Sequence, residues 1–298
     1  MEIRNVTIAG GGVLGSQIAW QTAFMGFNVT VYDAFEKGLE NCRQLHKKYA
    51  DLFLTSRGAN QEQINQANLR LSYTTDLARA VKDAVLISES IPEDPEIKKK
   101  FYAELSAVAP SKAIFTTNSS TTLPSEYAKE TGRPEKFLAL HFANLIWQHN
   151  IGEVMGHPGT NPEILKRVVR FAEEIGMVPI PLYKEQNGYV INSLLLPFLS
   201  AALDLLYYEV TDIESIDKTW MIGTGAPTGP GAIMDVIGMQ TIYNVDKLWG
   251  AKLEDRHLLD RAEWLKRNFI DKGKLGINSG EGFYKYPDPR WQEQGFLK

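Results

Sequence analysis

Cysteine is almost absent from this chain: Cys42 stands alone among 298 residues. That excludes an intrachain disulfide framework and fits a reducing compartment. Within its helical pattern, Cys42 reads as a small core residue. Histidine is nearly as scarce. His46, His149, His157 and His257 have no partners at ligand spacing, so no metal is expected and the four are read as surface or packing residues. An excess of one charge is also missing: 32 Lys and Arg against 36 Asp and Glu leave a net charge of −4. Nothing in that balance calls for nucleic acid or an anionic membrane as partner. The longest apolar stretch, "VINSLLLPFLSAALDLLYY", is broken by Asn192, Ser193, Pro197 and Asp204, which makes a buried helix and not a membrane span. No basic-then-apolar leader precedes the first strand near Ile3, so no targeting segment is read and a cytoplasmic protein is expected.

What is present is enough apolar sequence for two domains and a large core, at 44% apolar and 23% charged residues. Short β-branched runs alternate with helical patterns through the first half. "NVTIAG" precedes a helix from about Leu14 to Met25, and "NVTVYD" a long helix from about Ala34. Then follow "AVLISES", a helix after Pro95, "AIFTTNSS", a helix after Pro124, "FLALHFAN", "IGEVMG", a helix after Asn161, and "MVPIPLY". This order predicts an α/β fold with a mostly parallel sheet and helices on both faces. Residues 36–71 depart from it as two polar amphipathic helices with a turn near Ser56 to Asn60, an inserted hairpin. After about Lys184 the strand signals stop. A long apolar helix, a second helix N-capped by Asp212, and a third over "MDVIGMQTIYNVDKLW" form an all-helical part. The expected domains are therefore 1–184 and 185–298. A helical domain this apolar commonly buries a face in a second copy, so a homodimer is expected.

The most informative stretch lies between the first strand and helix. Gly10-Gly11-Gly12-Val13-Leu14-Gly15 fits the pattern GxGxxG in the right local context. Gly10 permits a tight turn, Gly12 lets a pyrophosphate approach the backbone, and Gly15 lets the helix pack on the strand. The helix N-terminus then offers unpaired N–H groups and a partial positive charge to phosphates. Asp33 ends the second strand about 20 residues on, where its carboxylate can accept from ribose hydroxyls and repel a 2′-phosphate. The first domain therefore reads as a Rossmann-type domain that binds NAD in preference to NADP.

Further pieces carry a resemblance. They are "ESIPEDPEIK", "TNSS", "LHFAN", Glu153 following His141, "NGYVINSLLLPFLSAALDLL", "APTGPGAIMDVIGMQT" and "GKLGINSGEGFYKY". In this order and spacing the chain resembles the L-3-hydroxyacyl-CoA dehydrogenases, including stand-alone 3-hydroxybutyryl-CoA dehydrogenases. The resemblance implies that His141 is a general base and Glu153 the carboxylate that orients it. It implies that Ser120 touches substrate and nicotinamide, that Asn144 and Asn192 lie in the reaction site, and that Glu93 and Lys98 sit beside the cofactor. Lys47, Lys48 and Arg57 on the hairpin would meet the phosphates of a CoA substrate. The chemistry agrees, because a secondary alcohol losing hydride must also lose its hydroxyl proton, and imidazole can take that proton near neutral pH.

The chain also departs from the family. After Asn144 the usual proline-containing segment is replaced by "NLIWQHNIGEV", in which Trp147 and His149 add bulk and a titratable group near the expected acyl chain. "PGF" becomes Asn187-Gly188-Tyr189, the arginine after "VxN" becomes Ser193, and a basic tail residue becomes Asn278. The dyad is kept while its surroundings change. That leaves two substrate classes, a short-chain 3-hydroxyacyl-CoA ester or a hydroxy acid without CoA, beside a non-catalytic NAD(H)-binding protein.

Overall fold

The β-branched runs of the first half pair into one sheet, whose central strands are apolar on both faces. In the computed structural model, which describes residues 2–298, the strands are β1 (Asn5–Ala9), β2 (Asn28–Tyr32), β3 (Leu71–Thr74), β4 (Leu86–Glu89), β5 (Ile114–Thr117), β6 (Phe137–Phe142), β7 (Ile151–Gly156) and β8 (Val178–Leu182). Their order is β3-β2-β1-β4-β5-β6-β7-β8. β4, β5 and β6 are buried along their whole length, as central strands covered on both faces must be. Every pair is parallel except β6 with β7. The strand order reverses between β1 and β4, and the crevice at such a reversal is where open α/β sheets bind ligands.

The first unit runs through Ile191 and the second is Asn192–Lys298. In the first, α1 (Val13–Phe24) follows β1, and the hairpin is α2 (Glu36–Ser56) and α3 (Gln61–Leu69). Leu39, Cys42, His46, Tyr49 and Phe53 form the buried stripe of α2, at helical spacing. Asn60 starts α3 with a reciprocal capping box to Gln63. His46 is a packing residue, its ring bonded to Tyr73 Oη at 2.7 Å and to the Ser16 carbonyl at 2.9 Å. Burial pulls its pKa down to about 4.

Three sequence expectations need correction. A short strand, β3, and a short helix, α4 (Leu77–Val81), follow the hairpin where no strand was expected. β3 is four residues long and mostly half-buried at the sheet edge, so it has no apolar run to announce it. The helix expected after Pro124 is only a 3₁₀ turn, Pro124–Glu126. Beyond it, α5 (Pro95–Val108) and α6 (Pro162–Glu174) start at the expected prolines.

In the second unit, α7 (Ile191–Tyr207) leads to α8 (Ile213–Thr224), where Asp212 caps the backbone N–H of Ser215. The single helix expected next is two, α9 (Pro230–Ile237) and α10 (Met239–Leu253), separated by Gly238 at φ +91°. α11 (Arg256–Asn268) follows. Leu199, Leu203, Met234, Met239 and Leu265 form the core of this unit. Among the described residues no helix is long and apolar enough to cross a membrane.

Candidate active site

The loop from β1 to α1 is built so that a ligand can reach its backbone. Gly10 has φ +109°, and a Cβ there would lie 2.3 Å from the Ser90 carbonyl oxygen. A Cβ on Gly15 would fall 2.0 Å from the Gly10 oxygen. At Gly12 the opposite holds: nothing lies within 4 Å of a built Cβ, and no side chain caps α1. An open helix terminus of this kind can hold a phosphate group. Asp33 braces the loop, accepting from Gly11 N at 2.9 Å and from Phe35 N at 3.0 Å. Beside it lies a cavity of about 360 Å³ lined by Gly11, Gly12, Val13, Asp33, Asn41 and Lys48, among others. A glycine cradle without side chains, a free helix terminus and an acid at the second strand end fit an adenine dinucleotide. Leu14 follows in the first turn of α1, half-buried. Asp33→Ser should weaken NADH binding by about 10- to 100-fold, through loss of a charged hydrogen bond. It should also shift the NADPH/NADH preference toward NADPH; steady-state kinetics with both cofactors checks this.

On the other side of the reversal stand His141 and Glu153. β6 and β7 are antiparallel, and the two residues are direct cross-strand partners. Their side chains meet at 2.9 Å, His141 Nδ1 to Glu153 Oε2. The second Glu153 oxygen accepts from the N–H of Val190 at 2.8 Å and of Ile191 at 3.0 Å, where α7 begins. Burial alone would raise the Glu153 carboxyl, but the His141 bond and these two N–H groups outweigh it and hold the group below the usual range. An ionised carboxylate only accepts, so Nδ1 carries the proton and Nε2 presents its lone pair. That lone pair faces Ser120 Oγ at 2.9 Å. Thus the structure brings His141, Glu153 and Ser120 together.

Glu93 and Lys98 belong to a different arrangement. Lys98 is 1% exposed and pairs with Glu89 at 2.7 Å and with Glu93 at 3.1 Å. Glu89, itself buried, also accepts from Tyr102 Oη, Thr117 Oγ1 and the Ile91 N–H. Glu93 in turn accepts from the Ser119 and Thr121 hydroxyls. Burial raises the Glu93 carboxyl, while Ser119, Lys98 and Thr121 more than offset it and keep it low. Lys98, on α5, is therefore an internal cation that holds two carboxylates, one at the end of β4 and one in the loop that follows it. Sequence reading missed Glu89, since one acid at a strand end carries no pattern.

The hairpin cations separate. Lys48 lines the cavity beside Asp33 together with Asn41, Gln44 and Leu45, one face of α2. Lys47 is exposed on the next face. Arg57 donates to the Trp147 carbonyl, and the Trp147 ring is buried against Tyr49 and Phe53. Trp147 thus sits in the aromatic core under α2. Gln17 of α1 fixes the same loop by accepting from Leu145 N at 2.6 Å. His149 and Asn144 remain exposed. Asn192 opens the second unit in the first turn of α7.

A dinucleotide-binding sheet with an imidazole, a bracing carboxylate and a hydroxyl beyond its reversal defines a nicotinamide-dependent dehydrogenase. Residues 5–186 match the model of the 3-hydroxyacyl-CoA dehydrogenase NAD-binding domain, and residues 188–286 that of the C-terminal domain of the same family. The chain is 31% identical over 294 residues to a probable 3-hydroxyacyl-CoA dehydrogenase of Caenorhabditis elegans, covering 96% of this chain and 93% of that one. It is 30% identical to a probable 3-hydroxybutyryl-CoA dehydrogenase of Bacillus subtilis, covering 97% and 99%. A solved structure of a diketoreductase, described as performing substrate-directed dual catalysis of dicarbonyl compounds, is 49% identical with a TM-score of 0.91, covering 96% and 100%. The chain belongs to the 3-hydroxyacyl-CoA dehydrogenase family. It is an oxidoreductase that acts on CH–OH groups with NAD.

Proposed function

We propose that the protein interconverts 3-hydroxyacyl and 3-oxoacyl groups of short chain, with the CoA thioester as substrate and the His141–Glu153 pair as its proton-handling machinery. The observation that carries this reading is the cross-strand pair itself, joined at 2.9 Å with the free imidazole nitrogen turned to Ser120. Bound NAD supplies the acceptor for the hydride. As the alcohol carbon loses hydride, its oxygen loses a proton to His141 Nε2, leaving a carbonyl. Glu153 keeps Nδ1–H in place throughout and stabilises the imidazolium that forms. Ser120 marks where the substrate oxygen must come, since it already fills the hydrogen-bonding position at Nε2. The family motif adds Asn144 to the reaction site. In reduction the same groups run in reverse, with His141 as acid. Exposed Leu194, Ile222 and Leu248 on the second unit support a homodimer through that unit.

A second reading keeps this chemistry and removes CoA. It is favoured by the 49% identical diketoreductase and by the hairpin, where Arg57 is engaged by Trp147 and Lys48 faces the dinucleotide cavity. Steady-state NADH oxidation with acetoacetyl-CoA and with free 1,3-dicarbonyl compounds separates the two. Turnover of acetoacetyl-CoA with the higher kcat/KM is expected; turnover of the free dicarbonyl alone would transfer the assignment to the second class.

A further inference from the structure

Tyr189 stands where the resemblance leads one to expect phenylalanine, and the structure gives its extra hydroxyl a partner. Its ring lies on the His141 imidazole at 4.3 Å between centroids and 9° from parallel. Its hydroxyl donates to the Ser119 carbonyl at 2.7 Å, one residue before Ser120, whose Oγ meets His141 Nε2. The next two backbone N–H groups, Val190 and Ile191, are those held by Glu153. This short segment therefore touches the base, its carboxylate and the serine loop together. Tyr189 is 1% exposed and has φ +53°, a left-handed setting that side chains other than glycine rarely adopt. Such outliers persist where the surroundings over-determine them.

We propose that Tyr189 is a positioning residue for the dehydrogenase reaction: its ring fixes the plane of His141, and its hydroxyl fixes the distance from His141 to Ser120. The inference rests on the reading of His141 as the base. A flat imidazole held at one edge by Glu153 can still tilt about that bond. A parallel ring over its face removes the tilt and, as a π surface, favours the imidazolium formed in the reaction. The hydroxyl acts on the other partner by holding the peptide that carries Ser120. The charged groups around this pair are Glu153 on β7, Glu93 and Glu89 with Lys98 between them, and Glu185 beside the turn.

The test compares Tyr189→Phe and Tyr189→Leu with the parent protein in kcat, KM, NADH binding and the pH profile of alcohol oxidation. Phe keeps the stacked ring and loses the tether to Ser119, so kcat should fall by about tenfold with an unmoved profile. Leu keeps water off the ring but removes the π face. Its kcat should fall further, and the acid limb of kcat/KM should move to lower pH by about half a unit or more. NADH binding should hold in both. Wild-type kcat and pH profile in a folded Leu variant overturn the proposal; if that variant fails to fold, wild-type kcat in the Phe variant does so. An inactive His141→Gln beside unaffected Tyr189 variants sinks this proposal alone, whereas an active His141→Gln sinks the base assignment on which it rests.

Discussion

Replacing His141 by glutamine should leave NADH binding nearly unchanged and lower turnover by about two to four orders of magnitude, the range lost with a general base. Glutamine is close in size and can still donate toward Glu153 and meet Ser120. It cannot take a proton and return it. His141 is 5% exposed and bonded at both nitrogens, so the substitution leaves the buried Glu153 carboxylate its two backbone partners at Val190 and Ile191. The glycine loop and Asp33 lie across the sheet on β1, α1 and β2 and lose no contact. Fluorescence titration with NADH measures the first quantity and steady-state oxidation of the 3-hydroxyacyl substrate the second. Turnover equal to that of the parent protein would remove His141 from the mechanism, while lost NADH binding would mean that the substitution had damaged the fold.

The pairing of His141 with Glu153 was legible because the family motif places two chemically complementary residues a fixed distance apart. Their meeting has a simple backbone cause. β6 ends at Phe142 and β7 starts at Ile151, a connection too short for the crossover that a parallel pair needs. β7 must therefore run back along β6, which sets Glu153 opposite His141. The glycine loop was legible for a related reason: close backbone approach admits few residue types, so Gly10 and Gly15 announce the geometry that the structure displays. What stayed hidden depends on distant partners. Tyr189 was visible as a departure, but its stacking on His141 follows from where β6, β7 and the start of α7 converge. That Trp147 packs as an aromatic anchor under α2 was equally hidden, because the loop is held there by Gln17 and Arg57. β3 and the split between α9 and α10 were missed on local grounds, a four-residue edge strand and a glycine inside an apolar run.

Lys98→Met should be the most destabilising single change in the first unit outside its apolar core. Lys98 and Glu89 are both 1% exposed and bonded at 2.7 Å. Removing the cation leaves Glu89 as an uncompensated buried charge, which costs about 3–5 kcal/mol. For a unit of this size that corresponds to a fall in Tm of roughly 6–20 °C. The double variant Lys98→Met with Glu89→Gln should recover most of the loss, because the penalty comes from the stranded carboxylate and not from the loss of attraction itself. With its amide oxygen in the place of Oε2, Glu89→Gln can still accept from Tyr102 and Thr117, and gives up only the bond from the Ile91 N–H. The same variants bear on activity. Lys98 also holds Glu93, and Glu93 gathers the Ser119 and Thr121 hydroxyls on either side of Ser120. If Lys98 works as an internal brace, the double variant regains Tm more fully than it regains kcat, since Glu93 stays without its cation and the serine loop stays loose. Calorimetry and steady-state kinetics on the three proteins read both quantities. A Lys98→Met protein melting with the parent would show that Glu89 is not held as a buried ion, and with that the link from β4 to the serine loop would fail.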